Sequence, residues 1–431
     1  MRKRILYISI AIFISILWIL LMLNHILKGS AGWQSVKESE LPDRAQTLLQ
    51  DSGIIRVLLK TDGFADIAHA SVQFTAPSGI RLSWGEDSLV CGAGELITIT
   101  PDDSRFQAGN IWVEASNAGE KLGISSFKRG YGTPSYRGKL ELFRTAEGIV
   151  IINELPLEEY LYAVVPSEMP ASYELEALKT QAVCARSYAY NQSRSYGYPE
   201  YLAHVDDSTS FQVYGNSAEH ESTIRAVQET NGEKIWYGNQ VATAYYYSTS
   251  CGTSASITAW GGELNDANRY LQSVRLCRED GSDYEAALPW YRWTATVPEQ
   301  TMSDSIELNT QTEIGSLVSL AVSKTGDGGI VQEITAQGTK GSVTVATENK
   351  IRRALSGSYT IVKQDGTQTS CKSLLPSAFF TIEKANGNYI IRGGGYGHGI
   401  GMSQNGANEM AKAGKNYREI LCCFYTGVTI R

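Results

Sequence analysis

The chain has 431 residues, of which 42% are hydrophobic and 19% charged, and its formal net charge is −7. That length exceeds one ordinary compact core, so two domains are the default expectation. The acidic balance, with no basic stripe for phosphate contacts, excludes nucleic acid as a partner.

Arg2-Lys3-Arg4 precede an uncharged stretch over residues 5–23. At about 1.5 Å per residue this stretch nearly matches a bilayer core of roughly 30 Å. Basic residues stay on the cytoplasmic side, which predicts a single-pass signal anchor with the remainder outside the cytoplasm. Cleavage near Gly29-Ser30-Ala31-Gly32 is the alternative. Residues 1–28 are thus expected to form the cytoplasmic tip and transmembrane anchor, and residues 29–52 a juxtamembrane linker. Alternating apolar positions then predict strands at 55–59, 70–75, 97–100 and 111–115, divided by turns such as Asp62-Gly63 and Pro77-Ser78-Gly79. They make residues 53–135 a small β-rich module, followed by a catalytic region over 136–431.

That region opens with strands at 139–143 and 148–153, a hairpin feeding Pro166-Ser167-Glu168-Met169-Pro170. Two prolines predict a stiff connector at Ser167-Glu168-Met169, with Ser172 able to cap the helix that follows. Leu175, Leu178, Ala182, Ala185 and Ala189 recur at helical spacing, and Lys179 and Arg186 lie close to two turns apart on one face. A carboxylate on a fixed backbone is what a single general acid needs, and Glu168 is the candidate. Its apolar neighbours raise its pKa and a nearby helix N-terminus lowers it, and the sequence leaves the sign open. A capping glutamate beside two solvated cations stays open from the residues alone.

Further on, the pattern predicts helices at 222–230, 348–355, 402–412 and 417–425. Strands are predicted at 233–237, 241–248, 290–297, 315–325 and 330–336, with an exposed loop at 280–288. Strands and helices in irregular order predict an α+β class. Among the seven cysteines, Cys184 and the pair Cys422-Cys423 sit in apolar helical patterns and read as core, and a Cys251–Cys277 bridge is unforced. The 24 tyrosines include Tyr245-Tyr246-Tyr247, which, like Trp290-Tyr291-Trp293, offers rings for stacking on pyranose faces, with core packing as the other reading. The glycine-dense run 393–401 has no Gly-Lys-Ser/Thr ending, which rules out a phosphate loop. Its glycines let the backbone approach either a sugar ring or a neighbouring strand, and His398 reads as a cleft residue or a backbone-bonded one.

Two long motifs carry a resemblance. Leu155-Pro156-Leu157-Glu158-Glu159-Tyr160-Leu161, Val164 through Pro170, and Glu176 through Val183 with Ala185-Arg186-Ser187-Tyr188 form the first. Gly395-Tyr396-Gly397-His398-Gly399-Ile400-Gly401-Met402-Ser403-Gln404-Asn405-Gly406-Ala407 form the second. Gln212-Val213-Tyr214, Ser248-Thr249-Ser250, Trp260-Gly261 and Tyr270 through Val274 are weaker matches between them. With these motifs the chain, from Arg137 to its end, resembles the SpoIID/LytB family.

The resemblance implies a lytic transglycosylase acting on peptidoglycan strands stripped of stem peptides, with Glu168 as sole acid and base. The substrate's own C6 hydroxyl closes on C1 to leave a 1,6-anhydromuramic end, so no second carboxylate is required. It also implies that Lys179, Arg186, Ser248, Ser250, Tyr270, His398 and Gln404 contact substrate; a bare lactyl carboxylate is the partner that the two parallel donors of the Arg186 guanidinium suggest. Relatives often place zinc-binding cysteines and a histidine before Gln-Val-Tyr. Here the run is His204-Val205-Asp206-Asp207-Ser208-Thr209-Ser210-Phe211, so neither metal nor cofactor is expected. Tyr247 and Cys251 stand where relatives often have histidine and glycine. Membrane, glycan, a cell-wall amidase and a sporulation complex are the implied partners. Another branch of the family implies a second reading, a non-catalytic enhancer of an amidase.

Overall fold

The computed structural model describes residues 53–431. Its frame is a seven-stranded sheet in the order Val205–Asp206, Ile54–Leu59, Ile149–Pro156, Lys139–Arg144, Ile111–Ala115, Ile80–Trp84 and Asp87–Cys91. Ile54–Leu59 runs antiparallel to Ile149–Pro156 in the register Ile54 to Pro156 through Leu59 to Ile151. Both strands are buried on both faces, which is why their sequences are near-continuous apolar runs. One face shares a core with a four-stranded sheet, Ile97–Ile99, Val72–Thr75, Leu122–Ile124 and Ser135–Tyr136. Leu58, Val150 and Ile152 point the other way and pack on Ala203 and the rings of Tyr198 and Tyr201. Buried Arg56 ties the sheet together through Glu141 at 2.7 Å and through Glu154.

The expected architecture needs two corrections. The β-rich module over 53–135 does not stand apart: its strands at 54–59 and 111–115 are hydrogen-bonded to 149–156 and 139–144, so one sheet crosses the expected boundary. Among the described residues no helix is long and apolar enough to cross a membrane. The expected anchor over residues 1–28 and the linker over 29–52 lie outside the described residues, and the fold on view is mixed α+β without a spanning helix.

The strand Ile149–Pro156 passes directly into helix α1, Leu157–Glu168, and α2, Leu175–Gln192, packs beside it with α3, Glu221–Glu229. A second unit then interrupts this one. Its five-stranded sheet has the order Gln368–Ser370, Thr360–Lys363, Trp293–Pro298, Asn388–Gly393, Phe380–Ala385, and its three-stranded sheet comprises Leu317–Thr325, Val331–Gly338 and Ser342–Ala346. With α4, Glu299–Thr310, and α5, Glu348–Ala354, these enclose a separate core of Trp293, Val297, Met302, Ile306, Ile334 and Ile391. The chain returns through the glycine run to α6, Gln404–Lys412, and α7, Tyr417–Phe424, whose Ala407, Met410, Ile420 and Leu421 rejoin the first core. Cys184 is in that core, but Cys422 and Cys423 are exposed, because α7 buries only its Ile420, Leu421 and Phe424 stripe. All seven cysteines, Cys251 and Cys277 included, are free thiols.

Candidate active site

Glu168 is the last residue of α1, which runs through Pro166 rather than stopping before it. A proline costs a helix the bond its own N–H would make, and here only the final turn is affected. Ser167 Oγ donates to the Ala163 carbonyl at 2.6 Å, and Met169 N–H closes on Val165 at 2.9 Å. The expected stiff connector is therefore helical up to Glu168, and the carboxylate sits at a helix C-terminus, where the dipole disfavours negative charge. Nor does Ser172 cap α2: the N-cap position is Glu174, whose N–H donates to Asn408 of α6 at 3.0 Å.

The half-buried Glu168 accepts a hydrogen bond from Val213 N–H at 2.6 Å. Burial pushes its carboxyl up to about 7, against hydrogen bonds from Val213, Tyr246 and Gln404 that favour the charged form. Among the described residues no lysine or arginine forms an ion pair with it. Tyr246, which hydrogen-bonds this carboxyl, and Gln212, which donates to Tyr246 Oη at 3.0 Å, line a cavity of about 220 Å³. Tyr188, Phe211, Tyr245, Trp260 and His398 also line that cavity. The aromatic run thus divides: Tyr245 and Tyr246 line the cleft, and Tyr247 is buried beneath it.

His398 accepts from Ile400 N–H through Nδ1 at 3.1 Å, which leaves the proton on Nε2 for the Tyr246 carbonyl at 2.9 Å. Burial, then the charge of Arg352, pushes its imidazolium down to about 4, so it stands neutral in the cleft wall. Both backbone bonding and cleft lining hold for it. The glycines around it serve the neighbouring segment: a Cβ on Gly397 (φ 118°) would meet Tyr247 Cβ at 2.7 Å, and one on Gly401 (φ 77°) would meet the Tyr245 carbonyl.

Gln404 donates to the Glu168 carbonyl at 3.0 Å and to Gln181 at 3.3 Å, so the second motif grips the first. Tyr173 bonds Asn405 at 2.5 Å, and Asn405 donates on to Thr249 at 2.9 Å and to the Ser248 carbonyl at 3.1 Å. Half-buried Ser248 is therefore within this network, whereas Ser250 is buried against Glu285. Tyr270 is buried and accepts from Thr243 N–H at 2.9 Å. Lys179 is not part of the cleft lining and is held by Glu229 at 2.7 Å and Glu176 at 2.9 Å. Arg186 is fully buried: Glu158 takes it in a fork at 2.7 and 2.8 Å, and the Glu233 and Val227 carbonyls and Thr230 Oγ1 take the remaining donors. It braces α1, α2 and α3 and presents no donor to a lactyl carboxylate.

The run that replaces the zinc motif is tied up internally. His204 is buried, accepts from Arg56 N–H at 3.1 Å and stacks on Tyr196 at 5.0 Å. Asp206 accepts from Tyr198 and Ser208, and Asp207 pairs with Arg129 at 2.5 Å. Among the described residues no cluster of His, Cys, Asp and Glu can hold a metal ion.

Glu285 was hidden in the expected exposed loop. It is buried, accepts from Ser250 N–H at 3.0 Å, from Ser250 Oγ, and from Ser403 Oγ at 2.8 Å, and burial pushes its carboxyl up to about 7. Nothing in a polar, acidic run signals a buried carboxylate, since its donors come from segments distant in sequence.

Residues 145–237 match the stage II sporulation protein family (SpoIID), and residues 263–401 match a domain of unknown function, DUF8618. The chain is 31% identical over 307 residues to an amidase enhancer of Bacillus subtilis, covering 63% of this chain but spanning only 40% of that relative's length. Against stage II sporulation protein D of the same organism it is 30% identical over 335 residues, 73% of this chain and 86% of the relative. Stage II sporulation protein D of Bacillus amyloliquefaciens is 31% identical over 295 residues, 65% of this chain and 75% of that protein. With both motifs meeting at Glu168 and with relatives of this coverage, the chain belongs to the SpoIID family.

Proposed function

We propose that this protein acts on the cell wall in sporulation, as a lytic transglycosylase that cleaves peptidoglycan strands stripped of stem peptides. The observation that carries the reading is Glu168: a half-buried carboxyl without a cationic partner among the described residues, raised to about 7, beside an aromatic cleft. An acid of that pKa holds a proton at neutral pH and can still take one back. Protonated Glu168 donates to the glycosidic oxygen as the bond from muramyl C1 breaks. The carboxylate then accepts the proton of the C6 hydroxyl, whose oxygen bonds to C1. One residue performs both transfers because the sugar supplies the nucleophile. Tyr245, Tyr246 and Trp260 give that sugar apolar faces to lie against.

The test is to incubate the full chain with amidase-treated peptidoglycan and read the products by mass spectrometry. Ends carrying 1,6-anhydromuramic acid, reduced about 10²-fold or more in Glu168→Gln, support the lyase. Reducing ends would overturn it in favour of hydrolysis. A second reading, a non-catalytic enhancer, is favoured by the similarity to the relative named amidase enhancer. No cleavage by the chain alone, but faster cleavage on adding an amidase, would support that reading.

A further inference from the structure

Arg186 is buried, which leaves an acidic glycan without the cationic contact its sequence position implied. A second cavity lies at the C-terminal end of the same helix. It encloses about 500 Å³ and is lined by Tyr190 and Asn191 of α2, by Arg194 just beyond its end, and by Trp236, Gln240 and Thr243 opposite. We propose that this groove is a remote subsite for an anionic saccharide, holding the strand beyond the residues in the Glu168 cleft. The choice of an acidic glycan rests on the reading given above.

Its position supports this. The two cavities share α2, with Tyr188 in one and Tyr190 in the other, and they share the segment after Gln240. Thr243 lines the groove and Tyr246 the cleft, so at most roughly 11 Å of extended chain separates the two walls. Asn191 fixes that segment to the helix, donating to the Val241 carbonyl and to Thr243 Oγ1, both at 3.0 Å. The proposed strand leaves the cleft along this segment to reach the groove.

Its chemistry supports it too. Trp236 and Tyr190 are half-buried rings, the shape that stacks on a pyranose, and Gln240 and Thr243 present groups that bond sugar hydroxyls. The charge is positive. Arg194 lies 5.8 Å and Lys234 5.1 Å from the centroid of Tyr190, and Arg431 lies 4.4 Å from that of Trp236. Arg194 is the one charged residue in the described lining, and Trp236 Nε1 donates to the main-chain oxygen of Arg431 at 3.2 Å. Both rings thus carry cations at their edges or faces, an arrangement for a sugar bearing a carboxylate rather than a neutral one.

The test measures binding of size-fractionated, amidase-treated glycan strands to the full chain carrying Glu168→Gln, with neutral chito-oligosaccharides of matched length beside them. Trp236→Ala added to this background should weaken long strands about tenfold and leave the shortest fragments unchanged. Arg194→Gln, at an exposed position where folding is not at stake, should reduce acidic strands to the affinity of the neutral ones. Unchanged binding of long acidic strands in both variants overturns the subsite, as does an equal loss at every length. Failure of the lyase reading is read separately: no anhydro ends from the unsubstituted chain, with length-dependent binding still lost in Trp236→Ala, removes the lyase and keeps the subsite.

Discussion

Two glutamates set the electrostatics around the site, and both are raised to about 7 from the ordinary 4.5 by burial. Between those pH values the folded chain keeps protons that the unfolded chain has released, so each carboxyl lowers stability as pH rises through the window. Glu168→Gln removes its share. Its melting temperature should match the parent near pH 4.5 and lead it increasingly towards pH 8, by calorimetry at fixed salt; a lead that shrinks with pH would contradict the raised carboxyl. The rate of anhydro-end formation should fall above about pH 7, because the acid form is lost there. Arg186 behaves in the opposite way. Removing a fully buried guanidinium strands Glu158 and unpairs two carbonyls, so Arg186→Ala should cost about 3 kcal/mol in denaturant unfolding. Any protein that remains folded should bind glycan as before, since the guanidinium touches no cleft. The residue types at both positions were legible in sequence. Their exposure was not, because burial of Arg186 depends on carbonyls from Val227 and Glu233 that only the packing of α3 supplies.

Whole helices were easier to read than their ends. Those at 221–229, 348–354 and 417–424 follow apolar stripes in the sequence, and each begins within one or two residues of its expected start. Prolines misled at α1, since Pro166 falls where the loss of one bond is tolerable and Ser167 supplies another. α4 was missed because its buried apolar side chains are only Met302 and Ile306, one turn apart, with Ser303 and Ser305 buried beside them. The expected strand over 241–248 is mostly irregular, with pairing only at Gln240–Val241 and Tyr246–Tyr247. Its tyrosines meet glycines of the second motif instead of a regular neighbour. α6 matters most to the site, because its Gln404 and Asn405 hold the connector around Glu168. Ser403 caps it, accepting from Gly406 N–H at 3.2 Å while donating to Glu285. Ser403→Ala should cost about 1–2 kcal/mol and lower cleavage by loosening Gln404. Equal stability of variant and parent in urea would remove that role.

At the scale of the molecule, two cores divide the described chain, one around the seven-stranded sheet and one around Trp293. They should open separately. In hydrogen exchange with added denaturant, amides of the paired strands Trp293–Pro298 and Asn388–Gly393 are expected to exchange as one group, distinct from those of Ile54–Leu59 and Ile149–Pro156. A single shared opening would show that the contacts between units, such as Trp260 Nε1 to Glu348 at 3.2 Å, couple them fully. Sequence by itself determined the α+β class and the presence and order of the two long motifs, and it singled out Glu168 as the candidate acid, because apolar period and motif order are local properties of the chain. Tertiary structure alone decided that the strand Ile54–Leu59 pairs with Ile149–Pro156 in the seven-stranded sheet, that Arg186 is a brace and that Glu285 is buried. Each of those depends on which distant segment supplies the hydrogen-bond partner or covers the surface, and no local pattern encodes that.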